Sequence, residues 1–175
     1  MTLTVEDGTG LAAAESYLSV ADTDTYSAAY QPQNYALWDA ALDAAKEIAL
    51  RKATMYLDNE NAGNWIGTIS NDTQALDWPR TGAVDENDVA IDSDELPVLL
   101  TNATAELAIR AISENLTVDE DSDSSVTSES STVAVISESK TYLGAKSEQK
   151  KFTIVNAKIK PLLANAGNIG RVSRG

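Results

Sequence analysis

The chain has neither cysteine nor histidine. Those two absences exclude disulfides, thiol nucleophiles, imidazole general bases and the usual zinc and iron ligand sets. No stretch approaches the roughly 20 apolar residues that a membrane-spanning helix needs. The first ten residues mix Thr, Gly, Glu and Asp and contain no charged-then-apolar leader. The expectation is a soluble, cytoplasmic protein without a membrane partner. Positive charge is scarce as well. Thirteen Lys and Arg stand against 27 Asp and Glu, a net charge of -14, which opposes binding to phosphate backbones.

What is present suffices for one core. The 175 residues are 43% hydrophobic, enough for one domain of ordinary size and hardly for two. The charge is unevenly spread. Between Lys140 and Gly175 lie eight basic residues (Lys140, Lys146, Lys150, Lys151, Lys158, Lys160, Arg171, Arg174) and one acid, Glu148; that stretch carries +7, leaving -21 for the residues before it. An acidic body with a basic C-terminal limb can fold the limb back on itself or lay it on another copy or another protein. The end of the limb, Ala166 to Gly175, has three glycines and little apolar content. If ordered, it must borrow a surface.

The local pattern is mainly helical. After an arm of ten residues, expected to be flexible, Ser19-Val-Ala-Asp22 has capping-box spacing and introduces a short helix to about Tyr30, which Gln31-Pro32 ends. From Tyr35 to Leu57, the residues Trp38, Ala41, Leu42, Ala45, Ile48, Ala49, Ala53 and Tyr56 recur at three- and four-residue steps, predicting one amphipathic helix. Asp43 and Lys46, and Glu47 and Arg51, are expected as pairs on its solvated face. A turn-rich loop follows, with Trp65 and Gln74-Ala-Leu-Asp-Trp-Pro-Arg-Thr-Gly82, where proline forbids regular helix. Val84 to Glu95 is acidic and loop-like.

Pro97 opens a helix expected to reach Leu116. Leu100, Ala103, Leu107 and Ala111 form one apolar stripe, and Ala105, Ile109, Ile112 and Leu116 a second, nearly opposite. Only a narrow polar strip, Asn102, Glu106, Arg110 and Ser113, is left. Such a helix is either central in a bundle or covered on one side by a second subunit. Thr117 to Thr132 has the composition of a solvated, disordered linker. Val133-Ala-Val-Ile-Ser137 and Lys140-Thr-Tyr-Leu-Gly144 are expected to form two short hairpin strands. A last helix begins near Glu148 and includes Phe152, Val155, Ile159, Leu162 and Leu163, with Pro161 kinking or tightening its end. The expected fold is therefore a small bundle of about four helices with a long loop, a short β-hairpin and an extended C-terminal arm. It divides into a core at 1–116, an acidic loop and hairpin at 117–147, and a C-terminal helix and tail at 148–175.

The search for chemistry finds little. Asp119 to Asp123 superficially resembles a calcium loop but lacks the central glycine and the twelfth-position Glu. No phosphate-cradling glycine motif occurs, and no carboxylate pair stands out among 27 acids. No catalytic residue, metal or cofactor is expected. Trp78-Pro79-Arg80 is the most distinctive element: an apolar anchor, a fixed backbone angle and a planar cation. Either Trp65 and Trp78 plug the open end of the bundle while Arg80 pairs with a local carboxylate, or this corner touches a partner.

These blocks carry a resemblance. Ala14-Glu-Ser-Tyr-Leu-Ser-Val-Ala-Asp22, Ala53-Thr-Met-Tyr-Leu-Asp58, Trp65, Gln74 to Gly82, Leu96-Pro97 and Ala105-Glu-Leu-Ala108 resemble, in order and spacing, the head-to-tail adaptors of tailed bacteriophages. Ile159-Lys-Pro-Leu-Leu163 and Arg174-Gly175 also look like that family's tail. Some members are labelled putative DnaT-like single-stranded-DNA-binding proteins. The resemblance implies a non-enzymatic virion protein at the head-tail junction, made in the host cytoplasm and assembled as a twelve-fold ring beneath the portal. DNA passes through the ring, and the tail or nozzle attaches to it. It assigns Trp65, Trp78, Pro79 and Arg80 to loop bracing. Leu100, Leu107, Ile109, Ile112 and Leu116 become subunit contacts, and Lys158, Lys160, Ile169, Arg171, Val172 and Arg174 become portal contacts. The Asp/Ser stretch at 117–132 and the strands after it depart from the family pattern. An acidic ring would repel DNA and let it slide. The alternative reading, a single-stranded-DNA-binding replication protein, needs a basic groove and stacking aromatics; a third is an acidic enzyme of unknown substrate.

Overall fold

The computed structural model describes residues 2–117 and 151–164 in full, and residues 126–132 and 137–142 by their backbone. The fold is mainly helical. In chain order the helices are α1 (Val20–Tyr30), α2 (Tyr35–Asp39), α3 (Asp43–Asn61), α4 (Val98–Ala111) and α5 (Thr153–Ile159). Two-residue strands β1 (Thr68–Ile69) and β2 (Arg80–Thr81) pair antiparallel, with Thr68 opposite Thr81.

Helix α4 is the axis of the core. Every side chain from Ala103 to Ala111 is buried, because α1, α2, α3 and α5 all pack on it. Its two apolar stripes are thus both covered within one chain. Leu100, Leu107, Ile109 and Leu116 are buried without a second copy, and Ile112 is partly buried against the same core. The expected solvent strip is covered too: Glu106 and Arg110 are buried and paired at 3.1 Å, and the Tyr26 hydroxyl of α1 donates to Glu106 Oε1 at 2.8 Å. The helix ends at Ala111, five residues before the expected limit, and a turn follows through Ser113 and Glu114, whose N–H groups donate to the Arg110 carbonyl.

The helix expected over 35–57 is two helices. Ala40 to Leu42 break it, with Leu42 extended (φ -71, ψ 149) as the cap of α3. The break gives α2 a direction of its own. Trp38 is buried while its indole N–H donates to Asp24 Oδ1 at 2.7 Å, and α3 begins with Asp43 in the first turn, where an acid favours the helix dipole. The buried face of α3 therefore rotates away from the expected stripe: Ala49, Leu50, Ala53, Tyr56 and Leu57 are inside, whereas Leu42 is 80% and Ile48 53% exposed. Lys46, expected on the solvated face, is buried with its ammonium 2.8 Å from Asp24 Oδ1 and 5.3 Å from the Trp38 ring. Arg51 does keep its exposed-side partner Glu47 at 3.6 Å, and adds Glu15 at 2.9 Å.

Helix α1 starts as its sequence requires. The Ser19 hydroxyl oxygen accepts from the Asp22 N–H at 3.1 Å and the same hydroxyl donates to Asp22 Oδ2 at 2.5 Å. Upstream, the first ten residues are not the expected flexible arm. Glu6 is 2% exposed and its carboxylate accepts from the N–H groups of Gly8, Gly10 and Leu11 at 2.8 to 3.0 Å. Residues 4 to 6 also bond along 15 and 16. Gly8 has φ +99, and a Cβ there would lie 2.0 Å from the Asp94 carbonyl oxygen, so only glycine fits.

Helix α5 adds Phe152, Val155 and Ile159 to the core, and a 3-10 turn, Lys160–Leu162, accommodates Pro161 as a tightened helix end. Residues 152–164 thus group with 2–116 in one compact unit, and the described residues between 117 and 151 belong to a second. In the second, β3 (Val126–Thr132) and β4 (Ser137–Tyr142) make an antiparallel hairpin with Thr132 opposite Ser137. Its second strand overlaps the one expected from Lys140, while its first occupies part of the stretch read as disordered linker, where Val126, Thr127 and Thr132 are β-branched; residues 133–136 of the expected first strand lie outside the described residues. The stretch Asp119 to Asp123 lies outside the described residues.

The rotated face of α3 has a measurable consequence. Leu57→Ala is expected to cost about 2 to 5 kcal/mol in urea denaturation, and Leu42→Ala no more than about 0.5 kcal/mol. Equal losses would return Leu42 to the core.

Candidate functional site

The most elaborate constellation lies where the end of α3 meets the tryptophan loop. Trp65 and Trp78 are buried and meet edge to face, with ring centroids 6.1 Å apart, a favourable aromatic geometry. The Trp65 indole N–H donates to Asp77 Oδ2 at 3.0 Å. Arg80 was expected to pair with a carboxylate. Instead its guanidinium donates to three carbonyls, those of Ile66 (2.8 Å), Asp77 (3.0 Å) and Gly67 (3.0 Å). A planar fork of five donors suits this better than a point charge would. Pro79 is buried beside them, following a cis Trp78–Pro79 bond.

Beneath this corner the Tyr17 hydroxyl donates to Asp58 Oδ1 at 2.6 Å and accepts from the Trp78 N–H at 3.2 Å, while the Asp77 N–H donates to Asp58 Oδ2 at 3.3 Å. Burial pushes the Asp58 carboxyl up to about 7, with neighbouring Asp77 adding to the rise and the Tyr17 and Asp77 hydrogen bonds and Arg80 opposing it. Burial also pushes the Tyr17 hydroxyl well above its ordinary range. The arrangement holds a proton between two buried oxygens. Among the described residues, no group of three or more acidic or other ligating side chains is placed to hold a metal ion.

The same corner seats the C-terminal segment. The Ile66 N–H donates to the Leu162 carbonyl at 3.0 Å and the Ala164 N–H to the Asn64 carbonyl at 2.7 Å, so residues 162–164 run antiparallel beside Trp65. Of the residues assigned to portal contact, Lys158 is partly buried with its ammonium 5.7 Å from the Tyr26 ring, and Lys160 is exposed. Ile169, Arg171, Val172 and Arg174 lie outside the described residues. The five residues assigned to subunit contact are brought together, but as the core around α4. Sequence reasoning missed Tyr17, Asp58, Asp77 and Glu6. For Glu6 there was a signal, an acid followed two and four residues later by glycines that both take positive φ. For Tyr17 and Asp58, 41 residues apart, there was none.

The surface chemistry is decided by where the cations go. Before Lys140 the chain has five: Lys46, Arg51, Lys52, Arg80 and Arg110. Four are held by Asp24, by Glu15 and Glu47, by the carbonyls above, and by Glu106. Lys52 is exposed and, among the described cations of residues 2–117, has no bonded partner. All three tryptophans and Phe152 are buried; among the described rings Tyr30, at 68%, and Tyr35, at 37%, are exposed.

The chain belongs to the putative DnaT-like ssDNA binding protein family. The family model matches residues 1–175, the whole length. Neither a curated protein nor a solved structure matches it. Within this DnaT-like chain no described helix is long and apolar enough to cross a membrane.

The raised Asp58 carboxyl fixes a pH dependence. Between its unfolded value near 3.8 and about 7 the folded chain binds one proton more than the unfolded chain, so stability falls as pH rises through that window. Denaturation at pH 5 and pH 8 is expected to differ by about 2 to 3 kcal/mol in favour of pH 5. Asp58→Asn should flatten the difference; an unchanged slope would place its source elsewhere.

Proposed function

We propose that this protein is a structural component of a phage virion, a head-to-tail adaptor whose copies form a ring, of twelve subunits in the family it resembles, beneath the portal. One observation carries the reading: four of five cations in the body are consumed by internal bonds, which leaves an acidic exterior, while the basic residues cluster after Lys140. A channel wall of that sign lets DNA slide past without holding it. The C-terminal limb supplies the opposite sign. The described part of the limb is clamped to residues 64–66 through Leu162 and Ala164, and Arg171 and Arg174, further along the sequence, engage the portal. The tail or nozzle protein joins the opposite face. The location is the head-tail junction of the virion, after synthesis in the host cytoplasm, and no cofactor takes part.

The family description favours a second reading, binding of single-stranded DNA. A groove for that purpose needs cations along the backbone path and rings on which bases stack. The buried tryptophans and the internally paired cations of the body argue against it.

The reading is tested by deleting residues 166–175. The shortened chain is expected to stay folded by circular dichroism and to lose co-sedimentation with portal-bearing heads. Undiminished co-sedimentation of a folded deletion variant would refute the role given to the limb.

A further inference from the structure

The apolar stripe on α3 is left uncovered by the described residues. Ala44, Ile48, Lys52 and Met55 lie within about 80° of one another around the helix at 100° per residue. Ile48 is 53% and Met55 57% exposed. They stand about 10 Å apart along the axis. Single exposed aliphatics are ordinary, but this pair brackets Lys52, the one exposed and unpartnered cation among the described residues 2–117. The helix face thus offers two apolar seats with a positive charge between them.

The same molecule carries a projection of complementary character. Residues 84–91 form a tight turn in which the Asp85 carboxylate accepts from the N–H groups of Asn87 and Val89, each at 2.8 Å, and the Asp85 N–H donates to the Val89 carbonyl at 2.8 Å. Those bonds hold the Asp85 carboxyl below the usual carboxylate range. The turn is fixed at its base by the Val84 and Ala90 bridge and by the Ile91 N–H donating to the Ala83 carbonyl at 3.0 Å. It presents Val89, 60% exposed, with Glu86 and Asp92 exposed around it. An apolar tip with an acidic collar, already ordered, loses little conformational freedom on docking.

We propose that the uncovered face of α3 is an interaction surface for a second copy of this chain, and that its occupant is that copy's acidic turn, with Val89 placed against Ile48 and Met55 and Glu86 facing Lys52. Two different patches of one chain meeting in this way make a heterologous contact, the kind that builds a ring when its rotation closes. The inference rests on the ring reading above and names the surface that builds it.

Sedimentation velocity of the full chain over a concentration series, at low and high salt, tests it. The expected result is reversible association that weakens with salt. Ile48→Glu or Met55→Glu should weaken association roughly tenfold or more, with unchanged circular dichroism and thermal midpoint, since both positions are exposed. Lys52→Glu should weaken it too, and combining K52E with Glu86→Lys should restore it. A chain that remains monomeric throughout, association indifferent to these variants, or failure of the charge exchange to restore it would each overturn the proposal. Intact joining to portal-bearing heads by a chain that fails these tests would leave the adaptor reading standing and remove this surface alone.

Discussion

Between Ala103 and Ala111 no side chain of α4 reaches solvent, although two of them are charged. Desolvating Glu106 and Arg110 separately would cost several kcal/mol each, so the helix can be central only if they meet each other and find further partners. They do: the pair closes at 3.1 Å, Tyr26 donates to Glu106, and Lys158 lies over the Tyr26 ring. That requirement draws α1 and α5 onto α4 on the side where a solvent face was expected. Helices α2 and α3 cover the remaining sides of α4.

The same economy governs the rest of the charge. Lys46, Arg51 and Arg80 are each absorbed locally, Arg80 by three carbonyls that fix the tryptophan corner and, through Ile66, the strand that clamps Leu162. Cations that elsewhere would grip phosphate here act as internal fasteners. Most of the remaining positive residues come from Lys140 onward in the sequence. The adaptor role proposed above would have use for that separation of sign along the chain.

Much of the helical layout was legible in the sequence because it rests on local signals. Ser19 and Asp22 mark the start of α1, Pro97 that of α4, and Pro161 the tightened end after α5, and each acts within a few residues of itself. The two-sided apolarity of α4 correctly pointed to burial, but the choice between its own chain and a second subunit depends on where α1 and α5 pack. Periodicity misplaced the inner face of α3 because Trp38 and Leu42 were counted with it. Trp38 belongs to α2 and Leu42 is the extended cap before α3, and removing them shifts the stripe to Leu50 and Leu57. The corner of Tyr17, Asp58, Asp77 and Arg80 was legible only in its Trp-Pro-Arg segment. Its other members come from distant parts of the chain, and a hydrogen bond between residues 41 apart leaves no mark in either neighbourhood.

The central claim is that the described residues 2–117 offer no positive, aromatic-lined surface to a nucleic acid, whatever the family is called. Fluorescence anisotropy of a labelled single-stranded oligonucleotide, titrated with the full chain at low salt, measures that most directly. The expected result is no saturable rise at protein concentrations up to about 100 µM, the weak end of ordinary non-specific binding. Saturable binding in the nanomolar range, weakening as salt is added, would contradict it.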